Sequence, residues 1–412
     1  MSPAGSGVGT SIGVLGSTWR ATVDHGGAIA VEGGPGDAAF AWWVVAEDRM
    51  HDPQREPTVR QRRVDGTPVV ETRVRVPGGD VVHRTYASAA AGGLTVIDID
   101  NESAAAVAVV FSHSPTFAPR PPTEVAPAAR SADGVLLPAG AVSFPIAHRS
   151  SLRIAIAHRG GAVSAAPRPL PAGVPDAAAV VRGWLRQTEQ ASRLVLPDGG
   201  AANGDLVERV TAARCAVLLG DHTGADDPVA ALLALGENVR MGADPDPLVP
   251  AAVTAAERIA SAARRCGLDW DGGVALAAAE SMLVAARDLR AAGDLAAIRA
   301  RLGGDGAPIP ATAPTGVRLI PWVEQRIAQP VSAQRCVLLP EGFPTDWLGA
   351  NWEAHHLPAG PQSHVSVAVR WHGERPAVLW EVVGAPIALH GGRAAQQWSS
   401  TDARGEALWP QP

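Results

Sequence analysis

The sequence predicts an α+β protein: an N-terminal antiparallel β-sandwich, a middle block of about six antiparallel helices in three hairpins, and a C-terminal antiparallel β segment. Residues 11–160 break into short runs of β-prone residues bounded by Gly, Asp or Pro. From residue 176 the apolar positions recur with the period of a helix. Two punctuating stretches, AAPRPLPAGVP (165–175) and GGDGAPIPATAPTG (303–316), separate the blocks. The expected domains are therefore 1–170, 171–305 and 306–412.

In the first block, TWRATVD, GAIAVEG, FAWWVVAE, TVRQRRV, LTVIDID, AAVAVVFS and LRIAIAH read as strands. PVVETRVRVPGGDVVHRTYAS reads as a hairpin turning at Pro77-Gly78-Gly79-Asp80. The proline-rich stretch 115–130 reads as a surface loop. Helices are expected over 176–195, 204–219, 227–241, 247–266, 272–291 and 294–302. The first lines up Val180, Val181, Trp184, Leu185, Thr188 and Ala191 on one face. Asp227-Pro228 and Asp246-Pro247 each set a cap before an N1 proline, Asp271 is a further cap, and Gly220, Gly242 and Gly267 sit just past helix ends. Short connections make neighbouring helices antiparallel. In the third block VRLIPWVEQ and QRCVLLP read as strands, followed by the hairpin SHVSVAVRWHGERPAVLWEVVG (363–384). The last ~20 residues lack periodicity and are expected to be poorly ordered.

That last hairpin predicts its own register. Turning at His372-Gly373-Glu374-Arg375, it sets Trp371 against Pro376, Val369 against Val378, Val367 against Trp380 and Val365 against Val382, all on one apolar face. The other face carries His364, Ser366 and Arg370, with Ser366 opposite Glu381 within hydrogen-bonding reach. It reads first as the solvated side of a half-buried sheet, and otherwise as the lining of a cleft. The preceding segment PTDWLGANWEAHHLP supports the cleft by offering Trp347, Trp352, Glu353, His355 and His356 in an irregular loop.

Composition excludes more than it selects. All 35 basic residues are arginine, so Schiff-base chemistry, a pyridoxal-phosphate anchor and a P-loop lysine are ruled out. Net charge is −6 with no arginine-rich run, which argues against nucleic acid. Cys215, Cys266 and Cys336 lack CxxC or metal-ligand spacing and read as free buried thiols, suited to the cytoplasm. No signal-peptide pattern and no membrane-length apolar run is read. GxSxG, HExxH and a strand-associated GxGxxG are absent, and the adjacent His355-His356 makes a poor ligand pair in a strand. No metal or other cofactor is expected. Oligomeric state is not legible.

Tryptophan supplies 12 of the 18 aromatic residues, and tryptophan beside carboxylates is the composition of a saccharide site. The same residues also serve as core anchors, as Trp184 and Trp380 are expected to; Trp42 and Trp43, adjacent in a strand, must point to opposite faces. The segment AEDRMHD adds a cluster of Glu47, Asp48, His51 and Asp52 that reads as a solvated turn or as acid–base machinery.

The order of β-sandwich, proline linker and helical hairpins over residues 11–302 resembles the six-hairpin glycosidases, the glucoamylase and glycogen-debranching-like proteins. The resemblance implies a β-supersandwich packed on an α/α toroid whose loops carry two catalytic carboxylates. It is one of architecture, and no family residue is carried over. Six helices are half a toroid, so two readings stand. In the first, the chain is a carbohydrate-active protein, a glycoside hydrolase using Glu353 and Glu381, with Asp48 third. Trp347 and Trp352 then stack on sugar while His355, His356 and Arg370 bind hydroxyls. In the second, it is a non-catalytic carbohydrate-binding or scaffolding protein that has lost the full toroid.

Overall fold

The computed structural model describes residues 9–31, 39–125, 136–158, 167–197, 206–221, 226–303 and 307–412. Among them the chain mixes seven α-helices with many antiparallel strands, and it divides into two compact units, Met1–Trp184 and Leu185–Pro412. No helix among the described residues is long and apolar enough to cross a membrane.

The first unit is built of strands. β1 (Thr10–Gly13), β2 (Arg20–Val23) and β3 (Ile29–Val31) form a small sheet. A second sheet uses β4 (Trp42–Val45), β5 (Met50–His51), β10 (Val107–Phe111), β11 (Thr123–Glu124) and β12 (Val142–Ile146) in the order β11-β12-β10-β4-β5. The third uses β6 (Arg60–Arg63), β7 (Val70–Val76), β8 (Gly79–Ser88), β9 (Leu94–Asn101) and β13 (Ser151–Ala157) in the order β13-β9-β8-β7-β6. Ile12, Val23, Trp42, Val74, Ile97, Phe111 and Phe144 come from all three sheets and meet in one core. Alternation of buried and outward positions along each strand is what makes that shared face. Trp42 is buried and donates its indole N–H to the Gly26 carbonyl at 2.8 Å, while Trp43 lies half-buried on the other face.

Two expectations in this unit change. The β7–β8 turn is tighter than four residues: Val76 pairs with Gly79, leaving Pro77-Gly78, and Gly78 takes the φ of +76° that such a turn demands. The 115–130 stretch is not all surface loop. Phe117 bridges to Ala155 and Arg168 and is buried with Ala118, because an aromatic ring gains more in the core than in water. Residues 126–130 lie outside the described residues.

Helices follow. α1 (Ala177–Thr188) spans the division between units and ends earlier than its periodicity suggests, giving way to β14 (Arg193–Val195). α2 (Leu206–Leu219), α3 (Pro228–Arg240), α4 (Val249–Cys266), α5 (Trp270–Ala285) and α6 (Leu289–Arg301) come next. α5 is mostly apolar and packs on α3, α4 and α6, whereas α2 packs mainly on α7 (Leu319–Ile327). Asp227 caps α3 as expected, accepting from Val229 N–H and Ala230 N–H. Asp246 does not cap; it opens a 3₁₀ turn, Asp246–Leu248, that runs into α4. Asp269 rather than Asp271 caps α5, and Asp271 pairs with Arg318 at 2.9 Å. Arg287 at φ 64° stops α5, and Asp288 caps α6, which moves both boundaries from those predicted. Cys266 is exposed, because it sits in the last turn of α4 beside Arg264 and Arg265 rather than on the buried face.

VRLIPWVEQ is helix, not strand. Leu319, Ile320, Trp322, Val323 and Ile327 are buried at helical spacing, and Pro321 falls in the first turn where no backbone N–H is needed. β15 (Ala328–Ser332), β16 (Arg335–Leu338), β20 (Ala388–Gly391) and β21 (Ser399–Ser400) form one sheet, in which β16 and β20 are parallel. β14, β17 (Trp352–Gly360), β18 (Ser363–His372), β19 (Arg375–Gly384) and β22 (Arg404–Leu408) form the other, in that order. β18 and β19 pair in the predicted register throughout. The C-terminal residues are not a loose tail: β22 pairs with β19, and Trp409 is 1% exposed. Gly405 passes so close to Trp380 that a Cβ there would lie 2.3 Å from the indole. The helices and this last β segment share one core, with Leu232, Trp270, Leu276, Val367 and Trp409 among its members.

Candidate ligand cavity

The predicted site residues do not converge. Trp347 and Trp352 are buried in the core with rings 5.3 Å apart, so they are anchors and not a stacking platform. The segment taken for a loop is a 3₁₀ turn, Thr345–Trp347, followed by β17, whose alternation is hidden by a bulge. Between Ala354 and Leu357 two residues, His355 and His356, face the single Ser366. Glu353 is held below the usual carboxylate range by Arg370 at 2.9 Å and by His355 at 3.4 Å. Glu381 stands opposite Ser366 but bonds Arg404 at 2.7 Å, and the Ser366 hydroxyl instead accepts the His356 N–H at 3.2 Å. Glu353 and Glu381 lie two strands apart and two residues out of step, ~12 Å between Cα atoms by strand spacing. Asp48 belongs to the first unit. Burial pushes its carboxyl up, but the hydrogen bond to His51 at 3.1 Å outweighs that. His51 itself is buried between Asp48 and Glu56.

The second unit holds a cavity of about 760 Å³, bounded by α3, α5, α7, β15 and the β17–β18 turn. Of the predicted residues only His356 lines it. His356 reaches it through the bulge, at φ 58°, a left-handed conformation that a non-glycine side chain resists. His364, from the non-core face of the β18–β19 hairpin, lines the cavity beside it, with ring centroids 6.3 Å apart. Burial lowers the His364 pKa, and the charge of Arg240 lowers it further, so its imidazole is neutral at pH 7.

A polar cluster forms one wall. Glu237 accepts from Arg214 Nε at 2.6 Å and from an Arg240 terminal nitrogen at 2.7 Å. Glu324 accepts from Arg214 at 2.9 Å, from Arg240 at 2.8 and 3.0 Å, and from the Ser192 hydroxyl at 2.6 Å. Arg214, Glu237 and Glu324 are all buried. Burial raises the Glu324 carboxyl, but the charges of Arg240 and Arg214 prevail and hold it below its ordinary value. Beside the cluster, Trp270 donates its indole N–H to Gln325 at 2.9 Å. The Arg240 Nε–H is buried with no hydrogen-bond partner among the described residues.

Sequence reasoning missed Glu237, Arg240, Glu324 and Trp270 as site residues, and reached His364 only as part of the hairpin face read alternatively as a cleft lining. A signal existed in ALLALGENVR, where Glu and Arg three apart interrupt an apolar helix, the mark of a charge pair facing inward. For Glu324 the signal was lost with the misread strand.

Oxygens of Glu237 and Glu324 touch the same nitrogen of Arg240, so they lie within about 6 Å of each other. That spacing matches two glycosidase carboxylates, but such a pair needs one carboxyl that keeps a proton. Glu324 is held ionised, and both oxygens of Glu237 are occupied by arginine. The arrangement is built to hydrogen-bond and not to protonate.

No protein-family model matches the chain, and no curated protein or solved structure matches it.

Proposed function

We propose that this protein binds a neutral saccharide in the cavity of its second unit and does not hydrolyse it. The observation that carries the reading is the Glu237–Arg240–Glu324 wall. With Arg214 behind it, two arginines stand against two glutamates, so the wall offers strong charged hydrogen-bonding groups without a net field. Sugar hydroxyls both donate and accept, and this lining answers both, with His356, His364 and Gln325 adding further polar partners. An ionic ligand would disturb that balance. In the same reading the first unit is a β-sandwich, supported by its two five-stranded sheets and their shared core. The helices are then a shortened form of the α/α hairpin array.

Titration calorimetry with glucose, maltose, cellobiose and xylobiose, beside glucuronate and glucosamine, tests the proposal. Saturable binding of at least one neutral sugar, weakened at least tenfold by Arg240→Met, is expected. Absence of binding by every neutral sugar, or preference for a charged one, overturns it. Release of reducing ends from the disaccharides overturns its non-catalytic half.

A further inference from the structure

We infer that the ligand is a saccharide carrying an aliphatic substituent, a glycoside with an apolar aglycone, and that α5 receives the apolar part; this rests on the saccharide reading above. The cavity is two-sided. Opposite in character to the Glu237–Arg240–Glu324 cluster is a stripe along α5: Val274, Ala277, Ala278, Val284 and Ala285 all line the cavity at helical spacing, and Leu289 continues the stripe from the start of α6. Ser281 falls within the stripe, but its hydroxyl donates to the Ala277 carbonyl at 3.1 Å. Its hydrogen is thus spent on its own helix. Glu280 and Arg299 border the stripe and neutralise each other at 3.3 Å. Gly236 of α3 keeps this wall thin, since a Cβ there would meet that of Ala278 at 3.0 Å.

Half-buried Ala277, lining a void of this size, leaves apolar surface wet, as does Leu289, which is 62% exposed. Burying such surface against an alkyl chain gains about fourfold in affinity per methylene. A bare disaccharide would satisfy the polar cluster and leave the stripe in contact with water. A fatty chain alone would satisfy the stripe and leave the buried Arg240 Nε–H without a partner. Only an amphiphile of sugar and chain matches both walls.

The experiment compares glucose, n-octanol and n-octyl β-D-glucopyranoside below its micelle concentration, by calorimetry on the full chain. Two variants accompany the wild type. Ala277→Phe fills the stripe from within. Leu289→Ser removes apolar surface at an exposed position where folding is not at stake. The expected result is octyl glucoside at least tenfold tighter than glucose, with that advantage over glucose reduced at least threefold in each variant. Equal affinities for glucose and octyl glucoside overturn the inference and leave the saccharide reading standing. So does an undiminished advantage in Leu289→Ser. Octanol binding as tightly as octyl glucoside, with glucose not bound, overturns this inference and the saccharide reading together.

Discussion

Single residues separate the structural anchors from the cavity-lining groups. Trp352 is 1% exposed and packs against Trp347, so Trp352→Ala should cost ~3–5 kcal/mol in chemical denaturation while saccharide affinity stays unchanged. His356 behaves in the opposite way. Its left-handed backbone at φ 58° is strained for any side chain but glycine, so His356→Gly should raise stability by ~0.5–1 kcal/mol while weakening binding in the cavity. Urea unfolding and calorimetry on the same variant check both halves. His83 supplies a pH effect. It is buried against Trp42, its Nε2 has no partner among the described residues, and burial lowers its pKa to about 3. The unfolded chain takes up that proton near 6.5 and the folded protein does not. Stability is therefore lost as pH falls from 6.5 toward about 3, on the order of 5 kcal/mol from this group. His83→Phe should flatten that slope in unfolding curves recorded between pH 7 and 4, with little change at pH 7.

At the scale of elements, the Arg214–Glu237–Arg240–Glu324 cluster ties α2, α3 and α7 together. Removing one member leaves an uncompensated buried charge, so Glu324→Ala should cost ~3–5 kcal/mol, read from the denaturation midpoint. Because the folded pKa of Glu324 lies below its ordinary 4.5, its contribution is present above that pH and is lost on acidification through the folded value. Elements also show where sequence periodicity speaks clearly. The β18–β19 hairpin was legible to the register, since strict alternation and a short turn admit one pairing. β17 was not, because the extra residue at His355-His356 breaks the period and presents a strand as a loop. α7 was misread because Ile, Val and a proline within nine residues look like a strand until the buried positions are known.

On the scale of the whole molecule, the second unit depends on its far C-terminus. β22 covers the edge of β19, and Trp409 enters the core that also contains Trp270 of α5. Ending the chain after Asp402 should lower stability by at least the ~3–5 kcal/mol of losing one buried tryptophan, and calorimetric melting would register it. The sequence by itself determined an α+β chain, its helix-rich middle, its one clear hairpin and the chemistry closed to a protein without lysine. Those features are local: they follow from periodicity within a dozen residues, from turn residues, or from composition. The placement of the cavity was decided only in tertiary structure. Glu237, Glu324 and His364 are separated by 40 or more residues in the chain and meet through the packing of α3, α7 and β18, which no local period encodes. Tertiary structure likewise decided that Trp352 is an anchor. An aromatic ring beside carboxylates has the same sequence signature whether it faces a sugar or a core, and only the residues packed around it distinguish the two.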